Sequence, residues 1–213
     1  MVPILARFRQ LYEAASIPLG RICLRLGLTP NMLTYTSLAL SLVAGYCIAQ
    51  QSFLLGVVFI LLMGLADVLD GATARAGGSA SDYGTLLDHV TDRYAEWCIL
   101  GGVMLSGLVN PVWVLFAIFG MVMASYTRAR AEASGRMRSC NVGFAGRQEK
   151  LGLLIIGLLV QPLMGSTPVL EWIVIAVGVA SHVTVIQRMA YARRILLEPT
   201  APRIPQTGSE KGR

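Results

Sequence analysis

The chain has 213 residues, of which 54% are hydrophobic and only 14% are charged. This composition is too apolar for a soluble domain and favours an integral membrane protein. The 18 basic residues exceed the 12 acidic ones, but many arginines lie at the ends of apolar runs. This distribution fits an anionic membrane surface better than a nucleic acid, and we expect no nucleic-acid partner.

The first predicted element is an amphipathic helix within residues 1–29, which mixes apolar and charged side chains and would lie on the cytoplasmic membrane surface. Six mostly apolar segments of about 20 residues follow, each long enough to span a bilayer. They cover residues 31–50, 53–76, 83–106, 111–132, 144–164 and 169–193. The sequence therefore predicts an all-α membrane protein whose six-helix catalytic domain covers residues 30–195.

The charges between these segments predict an orientation. The first, third and fifth breaks contain no Lys or Arg, whereas the opposite side carries Arg75 at the end of the second segment, Arg136 and Arg138 in the fourth break, and basic residues at both ends. Because positive charge stays on the inner side, both termini and the basic breaks should face the cytoplasm at the cell membrane. Residues 196–213 are rich in Pro, Gly and polar residues and are predicted to form a disordered cytoplasmic tail.

All the aspartates of the chain lie within residues 67–92. Asp67 and Asp70 are three residues apart, and Asp88 and Asp92 are four apart, so each pair shares one helical face. Four converging carboxylates would repel one another unless cations neutralised them. Oxygen ligands without His or Cys favour Mg²⁺ or Mn²⁺, and four carboxylates can bridge two such ions.

Small residues accompany these carboxylates. Gly71 and Gly84 lack a Cβ and would let a ligand approach closely, and Arg75 adds a fixed positive charge. Together with metal ions, these features indicate a phosphate-containing substrate. The alternative is that the aspartates form structural ion pairs at helix ends, the role we assign to Asp82.

The sequence DVLDGATAR at residues 67–75, eight further residues and GTLLDHVTD at residues 84–92 resemble the signature of the CDP-alcohol phosphotransferases, DxxDGxxAR followed by GxxxDxxxD. The resemblance implies six transmembrane helices, usually in a homodimer. It also implies transfer of a phosphatidyl-type group from a CDP-linked lipid to an alcohol, with release of CMP and with two Mg²⁺ or Mn²⁺ ions.

The resemblance also assigns roles to residues. Asp67 and Asp88 would bridge both metal ions, Asp70 would complete the first site, and Asp92 would complete the second. Asp92 would also be the general base for the acceptor hydroxyl. The residues that would bind the CDP-lipid are Pro30, Asn31, Met32, Leu33, Gly71, Ala74, Arg75, Ser81 and Gly84.

A second segment, SYTRARAEASGRMRSCNVGFAGRQEK at residues 125–150, points to the acceptor. Arginines within apolar helices require an anionic partner. This segment and VIQR at residues 185–188 resemble the inositol-phosphate branch of the family, which comprises phosphatidylinositol- and archaetidylinositol-phosphate synthases. That branch carries the motifs SYxKARAEA, GxxER and VIQR. By this resemblance Arg128, Arg147 and Arg188 would bind the acceptor phosphate. The chain departs from that branch at Arg128, usually Lys, and at Gly146, usually Glu.

The implied reaction transfers a phosphatidyl or archaetidyl group from CDP-diacylglycerol or CDP-archaeol to inositol 1-phosphate. Glycerol 3-phosphate, the acceptor of a phosphatidylglycerophosphate synthase, or another alcohol is the alternative. An intramembrane prenyltransferase would carry its Asp motifs on well-separated helices of a longer chain, and a divalent-cation transporter would place carboxylates near mid-membrane. His89 and His182 are interpreted as packed histidines, and Glu96 as either support for the metal site or the partner of an Arg.

Overall fold

The computed structural model describes residues 9–137, 139–143 and 145–197, with side chains from residue 15 onward. This part of the chain is helical and contains no strand. Its helices are α1 (Arg9–Arg25), α2 (Pro30–Ala49), α3 (Phe53–Gly77), α4 (Asp82–Leu105), α5 (Pro111–Glu132), α6 (Arg147–Val160) and α7 (Val169–Leu196), with a 3₁₀ turn at Gln161–Leu163. The predicted all-α fold class is confirmed.

The predicted helix boundaries agree with the structure to within three residues at five of the six apolar segments. The fifth segment differs, because α6 begins at Arg147 and ends at Val160. Pro162 has no amide hydrogen and cannot continue an α-helix, so the chain passes into the 3₁₀ turn. Phe144, the predicted start of this segment, lies outside the described residues.

Four helices are long and apolar enough to cross a membrane, namely α2, α3, α5 and α7. The helix α6 has only 14 residues, and the first half of α4 is polar and contains Asp82, Asp88 and Asp92. The chain is a multi-pass membrane protein. Large apolar side chains such as Leu54 and Leu163 are more than two-thirds exposed, which suits a surface that contacts lipid.

Two helix pairs are built on small residues. Gly45 of α2 and Gly102 of α4 lie so close that a Cβ on Gly102 would collide with the Gly45 carbonyl. Gly120 of α5 similarly faces Ser181 and His182 of α7. Small residues allow the backbones of membrane helices to approach, so these contacts fix α4 against α2 and α7 against α5.

His182 has the packed environment expected from the sequence. Its ring stacks on Phe116 with a centroid separation of 4.3 Å, and its Nε2 lies 3.3 Å from the Phe116 carbonyl oxygen. This histidine therefore has a structural role between α5 and α7.

The first helix, α1, packs against α3 through one stripe of residues. Ser16, Gly20 and Cys23 are buried, while their neighbours are mostly exposed, and Gly20 lies directly against the backbone of Ala72. This stripe brings α1 to the end of α3 that carries the aspartates. Residues 1–8 of the predicted interfacial helix and residues 198–213 of the predicted tail lie outside the described residues.

Candidate metal and substrate site

The turn between α3 and α4 is set by local capping. Gly78 ends α3 in the left-handed conformation, with φ of 62°, which glycine adopts without steric cost. Ser81 then caps α4, because its hydroxyl accepts a hydrogen bond of 3.0 Å from the Gly84 amide. These caps reverse the chain between the two halves of the aspartate motif and bring them to one end of the molecule.

Three of the predicted metal ligands converge. Asp67 on α3 and Asp88 and Asp92 on α4 each present a carboxylate oxygen, and these oxygens lie within 4.8 Å of one another. Oxygen atoms from carboxylates alone are the donor set that Mg²⁺ or Mn²⁺ prefers. The three residues therefore fit a hard divalent cation.

The fourth predicted ligand, Asp70, is not a member of this group of three. It is buried, and its Oδ2 accepts a hydrogen bond of 2.7 Å from the Thr34 hydroxyl of α2. Thr34 thus orients Asp70 from a neighbouring helix. The sequence offers no motif that would have identified Thr34, since it is one of several hydroxyl residues along an apolar helix.

A cavity of about 370 Å³ adjoins the carboxylates and is bordered by Asp70 and Asp88. The residues predicted to bind the CDP-lipid that line it are Pro30, Asn31, Gly71, Ala74, Arg75, Ser81 and Gly84. Met32 and Leu33 do not line it, since Met32 is half exposed and Leu33 is buried in the core. His89, interpreted from the sequence as a packed residue, instead lies in the wall of this cavity.

Arg75 is held at the cavity wall from outside the motif. Its NH2 donates a hydrogen bond of 3.2 Å to the hydroxyl of Ser16 on α1. A Cβ on Gly71 would lie 3.0 Å from NH1 of the same guanidinium, so the glycine leaves room for it. The first helix and the missing Cβ therefore set the position of this charge.

Arg147, predicted to bind the acceptor phosphate, lies among the carboxylates in this structure. Its NH1 is 2.7 Å from Asp92 Oδ1 and 3.2 Å from Asp67 Oδ2. Its Nε is 3.6 Å from Glu96 Oε1. The contacts of Arg147 are therefore with the metal side of the site.

The other two predicted acceptor residues have partners of their own. Arg128 forms an ion pair of 3.0 Å with Glu132, one turn further along α5. Arg188 is buried and donates hydrogen bonds to the carbonyl oxygens of Val142, at 2.9 Å, and of Ala124. Because Ala124 lies one turn before Arg128 on α5, this bond brings Arg188 of α7 to the part of α5 that carries Arg128.

Glu96 pairs with arginine, which was one of the two roles that its sequence position allowed. It is 8% exposed, and its Oε2 lies 2.7 Å from NH1 of Arg93. Glu96 therefore contacts two arginines, Arg93 and Arg147, one turn beyond Asp92 on α4.

Comparison with known proteins places the chain in a family. Residues 27–184 match the model of the CDP-alcohol phosphatidyltransferase family. Archaetidylinositol phosphate synthase of Pyrococcus horikoshii is 33% identical over 178 residues, which cover 84% of this chain and 90% of that protein. Phosphatidylinositol phosphate synthase of Mycolicibacterium smegmatis is 33% identical over 208 residues, or 91% of each chain.

Solved structures are similar as well. The crystal structure of Mycobacterium tuberculosis phosphatidylinositol phosphate synthase with CDP-DAG bound has a TM-score of 0.76 and 27% identity, covering 89% of this chain and 98% of that one. The structure of the same protein in complex with manganese and citrate has a TM-score of 0.75, also at 27% identity, covering 89% of this chain and 93% of that one. The resemblance seen in the aspartate motif is confirmed, and the prenyltransferase and cation-transporter alternatives lose their support. The chain is a transferase and belongs to the CDP-alcohol phosphatidyltransferase family.

Proposed function

We propose that this protein transfers a phosphatidyl or archaetidyl group from a CDP-linked glycerolipid to inositol 1-phosphate and releases CMP. The observation that carries the proposal is the convergence of Asp67, Asp88 and Asp92 beside the cavity of about 370 Å³ that the motif residues line. Relatives covering most of the chain are named for inositol phosphate products, and one was solved with CDP-DAG.

The cavity would hold the cytidine diphosphate part of the donor. Arg75 and the small residues Gly71 and Gly84 give a wall that a phosphate can approach closely. Pro30 and Asn31, at the start of α2, would contact the nucleotide. The lipid chains would then run along the apolar helix surfaces within the bilayer.

The carboxylates would hold two Mg²⁺ ions, with Mn²⁺ as an alternative. Asp67 and Asp88 would be shared by both ions, Asp70 would belong to the first site and Asp92 to the second. Bound divalent cations neutralise a diphosphate and stabilise negative charge that develops at phosphorus. Thr34 supports this assignment by fixing the Asp70 carboxylate in a buried position.

Asp92 would act as the general base. It would take the proton of the acceptor hydroxyl, whose oxygen then bonds to the lipid-side phosphorus of the donor. The bond from that phosphorus to the bridging oxygen of the diphosphate breaks, and CMP leaves with this oxygen. Asp92 is only 9% exposed, so the transferred proton would be kept from bulk water.

The acceptor phosphate would be bound by Arg128, Arg147 and Arg188. Arg147 touches Asp92, so a phosphate held by this arginine would bring its alcohol to the base. Arg188 of α7 donates to the carbonyl oxygen of Ala124, one turn before Arg128 on α5, so the two arginines come to one region from different helices, which suits an anion bound there. Free inositol, serine or choline would not need three cations.

We also propose that α4 and α6 complete six spans, with both termini and the site at the cytoplasmic face of the cell membrane. The 24-residue α4 is long enough to cross a bilayer, and the breaks at 50–52, 106–110 and 164–168 carry no Lys or Arg. Residues 30–195 would form the catalytic domain of a homodimer, with residues 1–29 on the membrane surface and 196–213 as a tail.

The test is CMP release by the purified protein with Mg²⁺ and CDP-diacylglycerol. Inositol 1-phosphate, free inositol, glycerol 3-phosphate and serine are compared as acceptors, and CDP-archaeol replaces the donor in a parallel series. We expect turnover with inositol 1-phosphate alone. Turnover with glycerol 3-phosphate in its place would keep the metal chemistry and overturn the acceptor, and CMP release independent of any acceptor would contradict the transferase reaction.

A further inference from the structure

Glu96 is a buried carboxylate that the proposed reaction does not use. It lies one helical turn beyond Asp92 on α4, outside the family signature. Its two oxygens face two different arginines, with Oε2 at 2.7 Å from Arg93 NH1 and Oε1 at 3.6 Å from Arg147 Nε. Buried Lys150 lies one turn beyond Arg147 on α6.

The surroundings of Glu96 on its other side are apolar. It shares a narrow space with Arg147 that is otherwise lined by Met63, Ile99, Leu100, Met121, Leu151 and Leu154. A carboxylate against such a wall is costly unless it is paired with cations. Its charge is therefore stabilised by the two arginines that it contacts, Arg93 and Arg147.

Arg147 divides its guanidinium between two sets of acidic residues. NH1 contacts Asp92 and Asp67, while Nε faces Glu96. A divalent cation held by Asp67 and Asp92 would compete with NH1 of Arg147 for these two carboxylates. Where a cation displaced these contacts, Glu96 would be the carboxylate that remains to Arg147 among those it contacts in the described part of the chain.

We propose that Glu96 is a positioning residue that acts through Arg147. It holds the guanidinium at the edge of the carboxylate group when a divalent cation binds Asp67 and Asp92, and so it lowers the cost of metal binding. The same contact keeps Arg147 ready for the acceptor phosphate, and this second part rests on the proposed function. Arg93 supports the arrangement by fixing the other oxygen of Glu96.

The first test measures metal affinity without either substrate. Mn²⁺ is titrated into the full chain in lipid nanodiscs and free Mn²⁺ is followed by electron paramagnetic resonance. The variants are Glu96→Gln, Arg147→Ala and the double variant. Because the displaced arginine would lose a charged partner, we expect Glu96→Gln to raise the Mn²⁺ dissociation constant about tenfold. Arg147→Ala should lower it, since no guanidinium then competes for the carboxylates.

The double variant separates positioning from direct electrostatics. If Glu96 acts through Arg147, Glu96→Gln should change the dissociation constant by only about twofold once Arg147 is absent. An equal change in both backgrounds would overturn the proposal. If Arg147→Ala does not give a folded protein, Arg147→Gln takes its place. Glu171→Gln is the matched control, since this carboxylate accepts a hydrogen bond from the Asn110 amide at the opposite end of the helices, and it should leave Mn²⁺ affinity unchanged.

The second test measures steady-state kinetics. Glu96→Gln should raise the KM for inositol 1-phosphate about tenfold and leave the KM for the CDP-lipid unchanged, while Glu96→Asp should recover part of the loss because it keeps the charge. Equal changes in both KM values would count against the role. Mn²⁺ coupling between Glu96 and Arg147 without turnover of inositol 1-phosphate would support the positioning role and refute the proposed acceptor.

Discussion

The carboxylate side and the basic side of the site are built differently. Asp67, Asp70, Asp88 and Asp92 come from 26 consecutive residues on two helices joined by one capped turn. The predicted acceptor residues come from α5, α6 and α7, which are far apart in sequence. The carboxylates adjoin an open cavity, whereas each of the three guanidinium groups is already in contact with protein oxygen atoms.

This difference indicates how the two sides would meet their ligands. The carboxylates lie close together and repel one another, so this side is arranged for ligands that bring positive charge. On the basic side, two backbone carbonyls restrain Arg188 and Glu132 restrains Arg128. Restraint before binding reduces the entropy lost when an anion is bound. Arg147 belongs to both sides, and its contacts must change for both ligands to bind.

The largest effect should come from Asp92→Asn. The amide cannot accept the proton of the acceptor hydroxyl, and loss of a general base costs about a hundredfold to ten-thousandfold in rate. CMP release at saturating substrates measures this loss. Asp82→Asn is the matched control, because Asp82 lies in the exposed first turn of α4 and outside the motif. Wild-type turnover in folded Asp92→Asn would remove Asp92 from the base role.

The substitution Arg188→Ala tests the basic side. We expect its effect to be smaller than that of Asp92→Asn. Because a hydrogen bond to a charged group contributes about 1.5–3 kcal/mol, the KM for inositol 1-phosphate should rise about tenfold to a hundredfold. The KM for the CDP-lipid should stay constant, since Arg188 is not part of the cavity wall. Arg188→Lys keeps the charge but loses the fork that donates to Ala124 and Val142, so it should fall between wild type and Arg188→Ala.

An equal rise of both KM values in Arg188→Ala would contradict a specific acceptor role. It would show that Arg188 serves mainly to tie the loop at Val142 and Cys140 to α5. Thermal unfolding of the two variants distinguishes these outcomes, because a purely structural role predicts that KM values follow stability.

The contrast between the two sides also explains what the sequence could predict. The helices follow from runs of apolar residues, and the converging aspartates follow from spacings of three and four within two adjacent helices. Local geometry fixes such positions. Seven of the nine donor residues implied by the family resemblance line one cavity, and two of these, Pro30 and Asn31, come from α2.

Contacts between helices that are far apart in sequence could not be predicted from residue spacing. Thr34 meets Asp70 across 36 residues, and Arg147 meets Asp67 across 80. These pairs depend on the packing of α2, α3 and α6, and the motif spacing carries no information about it. For the same reason the sequence does not decide whether Glu96 supports the metal site or pairs with an arginine. Its contact with Arg147 depends on how the helices pack.

The smallest of these effects should come from Ser16→Ala, which tests how α1 supports the carboxylate side. The Ser16 hydroxyl accepts a hydrogen bond of 3.2 Å from Arg75 at the cavity wall. Its loss would leave the guanidinium less restrained, and a hydrogen bond of this kind contributes about 0.5–1.5 kcal/mol, so the KM for the CDP-lipid should rise about two- to tenfold. Ser41→Ala is the matched control, because this buried serine of α2 donates to the Leu38 carbonyl of its own helix. If only the KM for inositol 1-phosphate rose, or if neither KM value rose, α1 would not position the residues that bind the CDP-lipid. Arg75 would then not belong to the carboxylate side of the site.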